Sequence, residues 1–395
     1  MKPIWTLLAL AISAFAIGST EFISVGLLPL ITEQFGVSLN VAGLTVSLYA
    51  LGVTIGAPLL TMATSRMHRK HVLLAVMLIF ITGNTIAALA PTFNILLGGR
   101  VISALAHGVF MSIASIIAAD VVAPNKRASA IAFMFSGLTI ATVTGVPLGT
   151  WIGQFASWRM SFIFIAVIGI IGLIANAMLV PKQLSQGAKM SLRDIKTVLT
   201  NYRMLLVFFI TAIGYGGTFV MYTYLSPILE QVLHFSPSMI VLLLVVYGIF
   251  VAIGNSVGGR LSNEQPLPSL FGMFAALSIS LFVLQFALHS SVVSLIVIFL
   301  VGLFMFMNVP GLQLYAVQLA EKYTPNATAM ASALNISAFN IGIVIGSYVG
   351  GFIVAHHSLT ATPIYASALV FIAVAVTGIW LYVEKRQAIA ATCQQ

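Results

Sequence analysis

PNKRASAIAFMFSGLTIATVTGVPLGTWIG, residues 124–153, returns without a gap as PNATAMASALNISAFNIGIVIGSYVGGFIV, residues 325–354. The offset is 201 residues, and Pro124/Pro325, Asn125/Asn326, Ser136/Ser337, Gly145/Gly346 and Gly149/Gly350 coincide. A second echo lies nearer the start of each half: PLITEQ at 29–34 is matched by PILEQ at 227–231. Short matches between apolar segments arise by chance, but these fall at equivalent points of a wider pattern.

That pattern is a series of apolar windows of roughly 20 residues, the length that spans a hydrocarbon core. They lie near 5–31, 38–63, 71–91, 94–121, 128–154 and 160–180, then near 204–227, 238–260, 268–289, 291–319, 327–355 and 361–382. The first is too long for a signal-peptide core and carries no cleavage pattern, so it is expected to remain as helix 1. Residues 181–203 form the one long, polar, basic connector, and they divide the chain into 1–180 and 204–395. The expected fold is an all-α polytopic membrane protein with twelve transmembrane helices in two six-helix halves. Composition agrees: 60% of residues are hydrophobic and 6% charged, where a soluble domain carries about 25% charged residues.

Of the 17 Lys and Arg residues, all but Arg100 and Arg159 fall on one side when the loops are assigned alternately. Short cytoplasmic loops collect Lys and Arg, which places both termini and the long connector in the cytoplasm. The net charge of +9 is thereby explained by orientation, and no nucleic-acid partner is expected. The single cysteine, Cys393, excludes an intrachain disulfide.

A charge at the bilayer centre costs at least ~2.5–3.5 kcal/mol on insertion scales, so intramembrane ionisable residues are functional candidates. Of the eight acids, only Glu21 lies well inside a span, roughly 13 Å from the outer end of helix 1 at 1.5 Å per residue. Arg100 enters helix 4 from the same side to about 9 Å. Buried ions must be paired or neutralised, so these two are expected to meet. Two readings stay open: a packing salt bridge, or a protonation site in which the pair separates and re-forms as the protein moves. His107, two turns after Arg100 on the same face, is a proton relay, a substrate ligand or an interhelical hydrogen bonder. Asp120, at the cytoplasmic end of helix 4, is expected to pair with Arg66, Arg69 and Lys70 as a gate, or else to be an ordinary solvated helix end.

Neutral polar groups interrupt the apolar helices at Tyr49, Asn84, Tyr215, Tyr222, Tyr224, Asn308, Gln313, Asn335 and Asn340. They would line a hydrogen-bonding substrate cavity, although each alone serves equally as glue between helices. Gly52/Gly56 and Gly145/Gly149 offer close-packing surfaces, and Pro58, Pro147 and Pro310 allow bends.

TEF at 20–22 with GLLP at 26–29, SRMHRK at 65–70, GRVISALAHG at 99–108, GVPLG at 145–149, WRMSF at 158–162 and SAFNIG at 337–342 carry a resemblance over essentially the whole chain. The sequence resembles the major facilitator superfamily, and within it the drug:proton antiporter family of twelve-helix exporters, of the bacterial sugar-, arabinose- and purine-nucleoside-efflux type. That family's 2–3 loop usually reads Gly-x-x-x-Asp-Arg-x-Gly-Arg-Lys. Here Thr61, Ser65 and His68 replace the two Gly and the Asp positions in the order Gly, Asp, Gly, while Arg66, Arg69 and Lys70 match. The resemblance implies a monomeric bacterial inner-membrane secondary transporter without a cofactor, drawing on the proton gradient. Its substrate would be a sugar, nucleoside or amphipathic drug exported by antiport; a proton-coupled importer or uniporter of a small polar metabolite is the alternative. Helices 1 and 4 would then be neighbours lining the N-terminal half of the cavity.

Rival classes lack their chemistry. No G-x-x-x-x-G-K-[ST] loop is present for ATP, no H-E-x-x-H or other catalytic cluster marks an enzyme, and no selectivity filter marks a channel. His356-His357 alone is too little for a metal.

Overall fold

The fold was taken from a computed structural model that describes residues 3–123, 127–184, 191–263 and 265–392. Among these, twelve helices are long and apolar enough to cross a membrane. They are α1 (Pro3–Phe35), α2 (Leu39–Thr64), α3 (Arg69–Ala88), α4 (Phe93–Asp120), α5 (Ala130–Phe155), α6 (Trp158–Leu179), α7 (Tyr202–Val232), α8 (Pro237–Ser262), α9 (Pro266–Ala287), α10 (Ser291–Tyr323), α11 (Pro325–His356) and α12 (Leu359–Arg386). An even number of crossings puts the first and last helices' outer ends on one side of the bundle, here called the terminal end. The connector contributes a short amphipathic helix, Leu192–Leu199, opened by a capping box in which Ser191 and Asp194 satisfy each other's backbone N–H groups.

No strand is present among the described residues, as hydrocarbon demands of a chain that must satisfy its own backbone. Polar side chains obey the same constraint locally. Ser13, Ser19, Thr54, Thr142 and Thr144 each donate to the carbonyl four residues back in their own helix, so a hydroxyl enters the apolar layer already satisfied.

Proline sets the irregularities. A proline withholds the N–H that the carbonyl four residues earlier requires, and wide π turns accompany three of them. They lie at Gly56–Leu60 around Pro58, at Ala141–Gly145 before Pro147 and at Ile228–Val232 after Pro227. Helix α7 is broken rather than merely bent: regular α-geometry is interrupted at Gly217–Thr218 and again at Thr223–Tyr224. The apolar window at 204–227 predicts one continuous helix, and the structure breaks it.

The repeat is visible in packing. Gly145 and Gly149 of α5 face Ser19 and Ile23 of α1, while Gly346 and Gly350 of α11 face Phe219 and Tyr224 of α7. Matched glycines therefore seat matched helices, α5 on α1 and α11 on α7. Pro124 to Lys126, where the first copy of the repeat opens, lie outside the described residues, as do Lys2, Lys189, Glu264 and Cys393.

Contact between residues 3–179 and 202–392 runs through α1 against α7, α2 against α11 and α5 against α8. Gly248 of α8 crosses the π turn of α5 so closely that a Cβ there would stand 2.7 Å from the Val143 Cα and 2.8 Å from the Thr142 carbonyl oxygen. Ser337 of α11 donates to the Thr54 carbonyl of α2 at 3.0 Å. Near the end opposite the termini, Asn40 lies against Gly351, and Leu225–Pro227 packs on α1.

Candidate functional site

Glu21, Arg100 and His107, expected together, do gather with the cavity candidate Tyr49 between α1, α2 and α4, but not as expected. Arg100 is fully buried and directs its guanidinium at backbone. Its Nη1 donates to the Thr20 carbonyl at 2.6 Å, Nη2 to the Glu21 carbonyl at 3.3 Å and Nε to the Thr45 carbonyl at 3.2 Å. The guanidinium also lies over the Tyr49 ring, 4.1 Å from its centroid, a desolvated cation–π contact. The expected Glu21–Arg100 salt bridge is therefore corrected. Arg69 and Asp120 form an ion pair, and among the described residues the Glu21 carboxylate has no ion-pair partner.

Helix geometry explains the outcome. Arg100 reaches α1 at the Thr20 and Glu21 carbonyls, so it meets the helix backbone and not the Glu21 side chain. Glu21 is intermediate in exposure as a residue, and its carboxylate stands within electrostatic reach of Arg100, Tyr215 and Tyr222. A planar fork with five donors serves several carbonyls at once, so Arg100 is satisfied without consuming the one deep acid.

Tyr49 extends the cluster. Its hydroxyl is 3.1 Å from His107 Nδ1, and both side chains are buried. Arg100, Tyr49 and His107 thus form one connected group, with Glu21 beside it. Asn84 does not belong to a cavity: it is fully buried, accepts from the Thr20 hydroxyl at 2.6 Å and donates to the Phe80 carbonyl at 2.9 Å. Its role is to fix α3 to α1 next to the Arg100 carbonyls.

Across the interface, Phe22 of α1 meets an aromatic cluster. Its ring centroid lies 6.3 Å from Phe219, 6.2 Å from Tyr222 and 6.0 Å from Phe306. Tyr215 packs on Phe306 at 5.8 Å and on Phe339 at 5.0 Å, and Tyr222 stacks on Tyr247 at 5.5 Å with ring planes 16° apart. Of these, only Tyr215 and Tyr222 were expected from sequence. The missed signal is spacing: Tyr215, Phe219 and Tyr222 fall at i, i+4 and i+7, one helix face, and Phe22 follows directly on Glu21. Tyr224, by contrast, points into the α11 contact, donating to the Ser347 carbonyl at 3.4 Å.

The remaining polar candidates divide. Thr211 donates to Asn335 Oδ1 at 2.9 Å, Asn335 donates to Gln313 Oε1 at 2.8 Å, and Gln313 donates to Ser332 Oγ at 2.7 Å. That chain ties α7, α10 and α11. Asn308 and Asn340 spend their amide N–H on their own helices, and their carbonyl oxygens have no hydrogen-bond partner. Buried acceptors without donors stand out where nearly all polar groups are paired.

At the terminal end, Asp120 pairs with Arg69, joining the end of α4 to the start of α3. Arg66 is exposed. Lys70 departs from the expected acid-facing cluster: its Nζ donates to the Ala177 carbonyl at 2.8 Å and the Val180 carbonyl at 2.5 Å, capping the C-terminal end of α6, where a cation meets the negative end of the helix. Arg159, at the opposite end, donates to the Ala90 carbonyl at 3.0 Å and covers the Trp158 ring at 4.4 Å, as an interface anchor would.

Comparison with known proteins agrees with this architecture. The family model of the Major Facilitator Superfamily matches residues 10–328. The MFS-type transporter YtbD of Bacillus subtilis (strain 168) is 56% identical over 380 residues, 96% of each chain. The inner membrane transport protein YdhP of Escherichia coli (strain K12) is 37% identical over 354 residues, 90% of each chain. The crystal structure of a D-xylose-proton symporter superposes with a TM-score of 0.76 over 95% of this chain and 97% of that one, at 15% identity, a likeness of fold alone. With twelve spans and relatives matched over nearly their full length, the chain is a multi-pass membrane transporter and belongs to the major facilitator superfamily.

Proposed function

We propose that this protein is a secondary active transporter that exports a small organic solute in exchange for protons, by alternating access, with Glu21 as the protonation site. The observation that carries the proposal is the unpaired Glu21 carboxylate. Glu21 is intermediate in exposure as a residue and faces Tyr215 and Tyr222 of α7 within electrostatic range, while the neighbouring Arg100 is satisfied by backbone carbonyls. Burial disfavours a charged carboxyl and a nearby guanidinium favours it, so a rocking motion that changes the distance between them loads and unloads a proton. Arg100, Tyr49 and His107 hold the charge environment of that step.

The solute site is the space between Glu21 and the aromatic cluster of Phe22, Tyr215, Tyr222, Phe306 and Phe339. Rings with a few hydroxyls suit an amphipathic or ring-bearing solute, such as a nucleoside, a glycoside or a planar drug. The π turns and the broken α7 supply the hinges, since discontinuous helices are where such carriers form their sites. The Arg69–Asp120 pair secures the terminal end, which the Lys and Arg distribution assigns to the cytoplasm, in a bacterial inner membrane.

The test is substrate-induced proton release from purified protein in detergent, with transport in proteoliposomes under an imposed pH gradient. Wild type should release protons on binding solute and drive uphill efflux. Glu21→Gln should bind solute and exchange it downhill, without proton release or uphill transport. Equal proton release from both proteins removes Glu21 from the mechanism.

A further inference from the structure

The echoed segments PLITEQ and PILEQ play no part in the proton site, and they meet at the end opposite the termini. There Gly26, Pro29 and Leu30 of α1, Gln154 of α5, Ser226 and Glu230 of α7, and Pro237 and Ile240 of α8 line a crevice of about 100 Å³. Its polar lining is unusual in being left unpaired. Ser226 is buried to 1% exposure, and neither its Oγ nor the buried Gln154 Oε1 has a hydrogen-bond partner. The Glu230 carboxylate forms no ion pair, and Glu33 of the first echo adds a second negative charge within electrostatic range. No Lys or Arg lines the crevice, and Arg159, at the same end, is engaged by Ala90 and Trp158.

Unpaired buried acceptors call for a donor or a cation, and the space exceeds what one water needs. We propose that this crevice binds a small monovalent cation, either an alkali ion or a primary ammonium group, held by the Glu230 carboxylate, Gln154 Oε1 and Ser226 Oγ. All three ligands are hard oxygens. Glu230 is the one carboxylate among the lining residues, and divalent sites ordinarily gather more carboxylates as direct ligands. Because the crevice is walled by α1 and α5 on one side and α7 and α8 on the other, an occupant bridges them and stabilises closure at this end. The inference goes beyond proton-coupled export and does not depend on its direction.

The test is thermal unfolding of the purified full-length protein in detergent, without a gradient or solute, so its result is separate from that of the transport assay. Sodium, potassium and methylammonium chlorides are titrated against choline chloride at equal ionic strength. Choline is a quaternary ammonium and offers these oxygens no N–H donor. A saturable rise in Tm with at least one small cation and none with choline is expected. A response to sodium or potassium identifies an alkali ion, and a response to methylammonium alone identifies an ammonium site. Glu230→Gln should weaken the midpoint about tenfold, the value of a charge-assisted contact, and Gln154→Leu should weaken it in the same direction. If Glu230→Gln does not fold, Gln154→Leu and Ser226→Ala decide. An equal Tm rise in choline, or variants that keep the wild-type midpoint, overturns the proposal.

Discussion

Replacing Arg100 should cost far more stability than replacing Glu21, because the structure separates two side chains that sequence depth would pair. In Arg100→Ala, three charge-assisted bonds to the Thr20, Glu21 and Thr45 carbonyls disappear, with the cation–π contact to Tyr49. Bonds to a charged group contribute about 1.5–3 kcal/mol each, and a desolvated cation–π contact about 2 kcal/mol. The cost of burying the guanidinium opposes these gains and is recovered in the mutant. Helical carbonyls also keep their own N–H partners, so the net loss should fall to about 3–5 kcal/mol, the range found when a buried charged network loses a member. Glu21→Gln touches none of these bonds, because Arg100 contacts the backbone of residue 21 and not its carboxylate. Its cost should stay below about 1 kcal/mol, in the range of substitutions away from such networks. Thermal unfolding of both variants in one detergent measures the difference, with Arg100→Ala lowered by several degrees and Glu21→Gln close to wild type. Equal losses in the two variants would show that the side chains act as an ion pair and would refute the backbone-clamp reading.

Further expectations concern other parts of the bundle. Tyr49→Phe removes the hydroxyl facing His107 Nδ1 but keeps the ring under Arg100, so it should cost about 1 kcal/mol in thermal unfolding while Tyr49→Ala costs clearly more. Asp120→Asn breaks the Arg69 pair, whose side chains are only 12% and 20% exposed, and should cost on the order of 1 kcal/mol, the upper end of the range for surface bridges; transport rate should fall in proteoliposomes while solute affinity is retained, and loss of binding in a folded protein would contradict a gate. Asn335→Leu strands Thr211 and Gln313 together and should cost about 1–3 kcal/mol for each buried group left unpaired, measured against Asn335→Asp in the same unfolding assay. In a Cys393→Ser background, cysteine at Ser185 should be labelled from the cytoplasm and cysteine at Ser358 from outside; the reverse pattern would invert the topology. Ser185 itself lies outside the described residues.

Twelve spans, their alternation and the internal repeat were legible in the chain because transfer to hydrocarbon is summed residue by residue along a local window. The same holds for the basic loops, whose bias is counted by position and not by contact. Glu21 and Arg100 were found this way, since depth within a span follows from rise per residue alone. Their partners were not. Which carbonyl or carboxylate Arg100 meets depends on the rotation of α1, α2 and α4 about their axes, and α1 and α4 are joined through about eighty residues of intervening chain. Lys70 illustrates the same limit: its sequence neighbours are basic and the nearest sequence-assigned acid is Asp120, yet helix packing delivers it to the carbonyl end of α6. Asn84 and Thr20, Tyr49 and His107, and Phe22 and the rings of α7 and α10 are likewise products of register between distant helices. The break in α7 was hidden because Gly216, Gly217 and Pro227 permit a break without requiring one, and only close packing of α11 on that stretch decides that the helix yields there.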